Sequence, residues 1–226
     1  MSRLPALSFS SSSVCLIDGW ESRAVPSGQR REDVNGDSFV NGTGDSDYLG
    51  WAGRICQTVY NQGYDITYYN LGVRRETSTD IKNRWFREVS CRLPPEINGK
   101  VIFSFGANDT TLKAGKTRVE TNQSIDNLHD ILTQAKQIFP VLMVSSPPVE
   151  DIEHNIRIAN LSKYFAEVCL ELNIPYLDVF TPLKSSENWL REVIQNDGAH
   201  PRALGYSELA RLVENWSPWI SWFKEQ

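Results

Sequence analysis

The chain has no basic run, no closely paired cysteines and no long apolar stretch, and each absence removes a class of function. Among its 226 residues, 23 Lys and Arg stand against 28 Asp and Glu, a net charge of −5. A nucleic-acid binder needs a dense cationic footprint to neutralise phosphates, so nucleic acid is not an expected partner. The four cysteines, Cys15, Cys56, Cys91 and Cys169, form no C-x-x-C pair. That argues against a zinc or dithiol redox site and for buried reduced thiols. No segment approaches the roughly 20 apolar residues of a membrane span. The N-terminal MSRLPALSFSSSSVCLI is broken by serines and followed by no small-residue cleavage site, so a cytoplasmic protein is expected.

What the chain does have is alternation. Runs rich in β-branched and aromatic residues, YDITYYN (64–70), KVIFSFG (100–106), VLMVSS (141–146) and IPYLDVF (174–180), alternate with segments of helical periodicity. Helices are expected over 48–62, 78–92, 119–138, 155–172, 186–195 and 203–214, with a last one after Ser217-Pro218. Strand–helix alternation predicts an α/β domain with a parallel sheet, helices on both faces and a ligand site at the carboxyl edge of the strands. Trp216, Trp219, Trp222 and Phe223 recur at three- and four-residue steps, giving the last helix one aromatic face. Core packing is expected of it, with a homodimer contact or an acyl-chain surface as the alternatives.

Residues 32–51, EDVNGDSFVNGTGDSDYLGW, gather Gly, Asp, Asn and Ser before an apolar turn. Asp33, Asn35 and Asp37 have the alternation that opens a calcium loop, but Ser38 and Gly44 stand where that loop needs its glycine and its bidentate Glu. TTLKAGKT (110–117) ends like a phosphate-binding loop, yet Thr110 replaces its opening glycine, and a surface loop is expected instead. A nucleophilic serine is better supported. Asp197 and His200, three residues apart before a helix, can place a carboxylate on Nδ1 of the imidazole and leave Nε2 to accept a hydroxyl proton. His129 and His154 lack ligand-spaced partners and are expected at the surface. Arg74 and Arg75 are expected in solvent, with contact to an anionic substrate group as the alternative.

GDSF (36–39), NLG (70–72), GAND (106–109) and DGAH (197–200) resemble, in order and separation, the four blocks of the SGNH, or GDSL-type, hydrolases. The resemblance implies a three-layer α/β/α sandwich with a flavodoxin-like parallel sheet of about five strands in order 2-1-3-4-5. It implies a nucleophile at Ser38, a general base at His200 and an orienting carboxylate at Asp197. The oxyanion hole would combine the N–H groups of Ser38 and Gly72 with the side-chain amide of Asn108. No metal or other cofactor is implied.

The activity implied is cleavage of a small-molecule carboxylic ester through an acyl-enzyme. A thioesterase or carbohydrate deacetylase with the same triad, or a non-catalytic binding protein of the same fold, are the alternatives. In the family an apolar strand leads into the GDS turn, whereas RREDVN leads in here. The first strand is therefore expected at SVCLI (13–17) followed by an inserted loop, or degraded. Residues 1–35 stand apart in this reading, and 36–226 form one hydrolase domain.

Overall fold

A computed structural model describes residues 30–224. Five parallel strands form the sheet: β1 (Arg30–Gly36), β2 (Ile66–Gly72), β3 (Asn98–Ser104), β6 (Val141–Val144) and β7 (Tyr176–Leu177), in the order β2-β1-β3-β6-β7. This is the expected 2-1-3-4-5 order. The two further strands, β4 (Leu112–Lys113) and β5 (Lys116–Thr117), pair as a separate antiparallel hairpin. Its turn residues Ala114 and Gly115 both have positive φ, so the segment resembling a phosphate loop is a tight hairpin turn.

The helices are α1 (Ser38–Asn41), α2 (Gly50–Asn61), α3 (Ser78–Arg92), α4 (Thr121–Ala135), α5 (Ile152–Glu171), α6 (Phe180–Leu183), α7 (Glu187–Gln195), α8 (Ala203–Glu214) and α9 (Ser217–Lys224). Period-two alternation in the strands splits the core between the two faces. Val34, Ile102 and Leu142 meet α2, α8 and α9 on one side, while Val101, Phe103 and Met143 meet α3, α4 and α5 on the other. Trp219, Trp222 and Phe223 of α9 are buried in the first core, so the aromatic face packs inward. Trp51 is fully buried there as well. Among the described residues, no helix is long and apolar enough to cross a membrane.

The polar RREDVNG segment, read as unsuited to a buried strand, is β1, an interior strand between β2 and β3. It pairs with β2 from Arg30↔Ile66 to Gly36↔Gly72 and with β3 from Arg30↔Asn98 to Gly36↔Ser104. SVCLI lies outside the described residues.

Two compensations let a polar sequence occupy this place. Arg30 donates to the carbonyl of Trp222 (2.9 Å) and lies beside the rings of Tyr64 and Phe223. Arg31 donates to the carbonyl of Arg92 (3.1 Å), so both cations serve helix C-termini, where the dipole favours positive charge. Burial favours the protonated form of both acids. Burial pushes the Glu32 carboxyl up to about 8, against the pull of Lys100 and Arg30, and pushes Asp33 up to about 7. Of the three free cysteines among the described residues, Cys56 and Cys169 are buried, whereas Cys91 is exposed, contrary to expectation.

Candidate active site

At the carboxyl end of β1 the chain must turn sharply, and the turn fixes Ser38. Gly36 has no room for a side chain: a Cβ there would lie 2.0 Å from the Ser104 carbonyl oxygen of the neighbouring strand. Asp37 then caps α1, its Oδ1 accepting the N–H of Phe39 (3.0 Å). The Asp37 carboxyl is pushed up to about 7 by burial, which outweighs the opposing Phe39 N–H. Downstream, Asp45 accepts the N–H groups of Asp47, Leu49 and Gly50 and pairs with Arg54, tying the rest of the loop to the start of α2. Asp33 and Asn35 lie within β1, with no hydrogen-bond partner for their side chains. The described residues contain no group of three His, Cys, Asp or Glu placed to hold a metal ion.

His200 arrives from the opposite end of the chain. Glu192 of α7 accepts the N–H groups of Arg202 (2.9 Å) and Gly205 (2.8 Å), binding α7 to the first turn of α8. Asn196 donates to the His200 carbonyl (3.0 Å). The Asp197 carboxylate folds back on its own loop, where Oδ1 accepts the N–H of His200 (2.8 Å) and of Ala199 (3.1 Å). Its Oδ2 lies 2.8 Å from Nδ1 of His200, and Nε2 of the same ring lies 2.7 Å from the Ser38 hydroxyl. With Nδ1–H donating to Asp197, Nε2 remains as the acceptor for the serine proton. The Phe39 ring, its centroid 5.0 Å from that of His200, limits the imidazole's freedom.

The electrostatics favour a neutral imidazole. Burial lowers the His200 pKa, the Asp197 carboxylate raises it, the nearby Arg74 charge lowers it again, and the net shift is downward. Asp197 is partly buried, which works against its charge. The N–H groups and imidazole around it prevail and hold its pKa below the ordinary value. Arg74 is largely in solvent, as expected, but its Nη2 lies 3.7 Å from the Asp197 oxygen that faces His200.

The expected oxyanion donors are placed unequally. Asn108 borders the cleft, its Nδ2 donating to the Glu76 carbonyl (3.0 Å) and, at a longer 3.4 Å, to Asp37. Gly72 is engaged elsewhere: its N–H donates to Oδ1 of Asn70 (3.0 Å), whose Nδ2 donates to the Val40 carbonyl (2.8 Å). A Cβ on Gly72 would lie 2.2 Å from the Asn41 nitrogen, so glycine is needed there for β2 to pass α1. Asn70, within the quoted NLG block, thus ties β2 to the serine turn.

The sequence places His154 at the surface. It is instead half-buried in the cleft wall, its Nε2 3.0 Å from the Ala107 carbonyl oxygen and 3.1 Å from the Thr110 hydroxyl. Burial lowers its pKa. The sequence signal lay in Asp151, which caps α5 through the His154 N–H (2.7 Å) and starts that helix three residues earlier than periodicity suggested. The cleft is about 450 Å³, with Phe39, Ala107 and Val149 as its apolar lining and Thr111, Glu150 and Asp151 at its polar rim.

Sheet order, the serine turn and the histidine loop define an α/β/α sandwich carrying a hydroxyl–imidazole–carboxylate chain at its carboxyl edge. Residues 34–207 match the GDSL-like Lipase/Acylhydrolase family, and the chain belongs to that family. It is accordingly an ester hydrolase. A GDSL esterase/lipase of Arabidopsis thaliana is 26% identical over 202 residues, covering 76% of each chain. The fold is shared with a lipase/acylhydrolase from Enterococcus faecalis (TM-score 0.68, 22% identity, 82% of this chain and 93% of that one). An acetylxylan esterase from Geobacillus stearothermophilus is similar in fold too (TM-score 0.66, 18% identity, 84% of this chain and 96% of that one).

Proposed function

We propose that the protein cleaves a small-acyl carboxylic ester through an acyl-enzyme formed on Ser38. The observation that carries this is the unbroken chain from Ser38 Oγ to His200 Nε2 (2.7 Å) and from His200 Nδ1 to Asp197 (2.8 Å). The Ser38 oxygen attacks the ester carbonyl carbon as His200 takes its proton, and Asp197 stabilises the imidazolium that forms. His200 then returns the proton to the departing alcohol. Water, activated by the same imidazole, releases the acid.

The oxyanion is met by the Ser38 N–H, which as the first of α1 has no partner within its own helix, and by the Asn108 amide. The long Asn108 contact to Asp37 is the one that yields. Gly72 contributes only by giving up Asn70. The modest cleft with its polar rim suits a short acyl group on a hydrophilic alcohol better than a long acyl chain. Carbohydrate deacetylation is the form of this reaction that the polar rim favours, and an acetylxylan esterase shares the fold.

Hydrolysis of 4-nitrophenyl acetate provides the test. Ser38→Ala is expected to reduce kcat by on the order of 10⁴ or more. A variant that keeps wild-type turnover would remove Ser38 from the mechanism.

A further inference from the structure

A larger opening than the catalytic cleft, about 740 Å³, lies on the far side of the segment 110–111. Thr111 lines the catalytic cleft and Thr110 lines this outer one, so the two adjacent residues form the wall between them. Three contacts brace the wall: the Thr110 hydroxyl donates to the Ala107 carbonyl (2.9 Å), His154 reaches that hydroxyl, and Arg157 Nε donates to the Thr110 carbonyl (2.9 Å). His154 borders the inner cleft and Arg157 the outer. They are three residues apart on α5, so about 5–6 Å of helix surface separates the two openings.

The outer lining has a consistent chemistry. Asn122 from α4, with Asn160, Lys163, Tyr164 and Glu167 from α5, faces the opening, and none of these side chains makes a hydrogen bond among the described residues. The only apolar side chains among its lining residues are the buried Leu161 and the half-exposed Tyr164 ring, and the methyl and methylene groups of the threonines and the charged side chains supply the rest of its apolar area. An acyl chain laid here would cover amide and charged groups without replacing their bonds to water, which is unfavourable. An anion would face Glu167 as well as the cations. A neutral, hydroxyl-rich chain meets the lining group for group: it donates and accepts alternately along its length, and its sugar rings have flat faces to set against Tyr164.

We propose that the outer cleft is an accessory subsite for the alcohol half of the substrate, a neutral oligosaccharide whose acylated unit crosses the Thr110–Thr111 wall to reach Ser38. The proposal rests on the ester-hydrolase mechanism given above and adds the place where the rest of the substrate binds. Binding energy gathered at such a distance acts on large substrates and is invisible to small ones.

The test uses the full chain and two variants of accessible α5 residues, Asn160→Leu and Tyr164→Ala. Acetylated xylo-oligosaccharide and 4-nitrophenyl acetate serve as parallel substrates. Each variant is expected to lower kcat/KM on the oligosaccharide about five- to tenfold while leaving the small ester within about twofold. Equal effects on both substrates, or none on either, would overturn the subsite while the Ser38 mechanism stood.

A binding arm separates the two ideas from the other direction. Unacetylated xylohexaose, titrated calorimetrically into Ser38→Ala protein, should bind, and should bind more weakly once Tyr164→Ala is added. No binding, or binding indifferent to Tyr164, would overturn the proposal whatever the hydrolytic assay gives.

Discussion

At the scale of single residues, the surroundings of His200 favour a neutral imidazole beside the Asp197 carboxylate. Its pKa lies below the ordinary histidine value because burial opposes the charge and Arg74 adds repulsion. Hydrolysis should therefore fall at acidic pH, with the acid limb below that of a free histidine. Arg74→Gln removes one of the two depressing influences. The imidazole then holds its proton to higher pH, and the acid limb of kcat/KM should move upward; a limb that moves down or stays put would dismiss Arg74 as an influence on the base.

On the proposed mechanism, Asn108→Ala should cost about 10² to 10³ in kcat with little change in KM, and an unchanged kcat would remove Asn108 from the oxyanion hole. Ser38, Asp197, His200 and Asn108 could be picked out as candidates because each sits in a compact block of sequence, and the fold joins the first three in one hydrogen-bonded chain. The partner of the Gly72 N–H and the burial of His154 were not legible in the sequence, for a different reason in each case. The Gly72 N–H is taken by a side chain two residues away, and His154 is buried by a loop, 107–110, that lies more than forty residues upstream.

At the scale of elements, the helices were legible and the first strand was not. Amphipathic periodicity placed a helix over 78–92, and α3 spans those residues; α2, α4 and α8 begin and end within a few residues of expectation. β1 escaped because hydropathy counts Glu32, Asp33 and Asn35 as solvent-seeking. The fold buries all three and supplies hydrogen bonds to the strand's backbone from both neighbours.

The carboxyls leave a thermodynamic signature. In the unfolded chain Glu32 and Asp33 lose their protons near pH 4. In the folded chain they keep them to about 8 and about 7. Between those limits the folded state binds more protons, so stability falls as pH rises through this window.

The lowered pKa values of His154 and His200 act in the opposite sense, but only below their unfolded value of 6.5. Calorimetric Tm should therefore decline between pH 6.5 and about pH 8.5. Glu32→Gln, which keeps the shape and cannot ionise, should flatten that decline and raise Tm at the alkaline end. A variant whose Tm tracks the wild type across the window would show that Glu32 does not titrate there.

At the scale of the whole molecule, one sheet gathers residues from four distant parts of the chain at a single edge. The strand order was legible only through the family blocks, since alternation alone gives a parallel sheet without its permutation. Closure of the molecule depends on α9. Trp219 is buried against Trp222 and Phe223, and the Trp222 carbonyl accepts from Arg30 of β1 and from Lys100 of β3 (2.6 Å), joining the last helix to two interior strands.

Trp219→Ala should cost about 3–5 kcal/mol of unfolding free energy, read as a lower denaturant midpoint at unchanged slope. A loss under about 1 kcal/mol would mean that α9 is not integral to the core.

The central claim is that Ser38 is the activated nucleophile, and covalent labelling tests it most directly. Wild-type protein treated with a fluorophosphonate probe and mapped by peptide mass spectrometry should carry one adduct, on Ser38, absent from Ser38→Ala and formed far more slowly in His200→Gln. Protein that hydrolyses 4-nitrophenyl acetate yet remains unlabelled, or is labelled at another serine, would contradict the account.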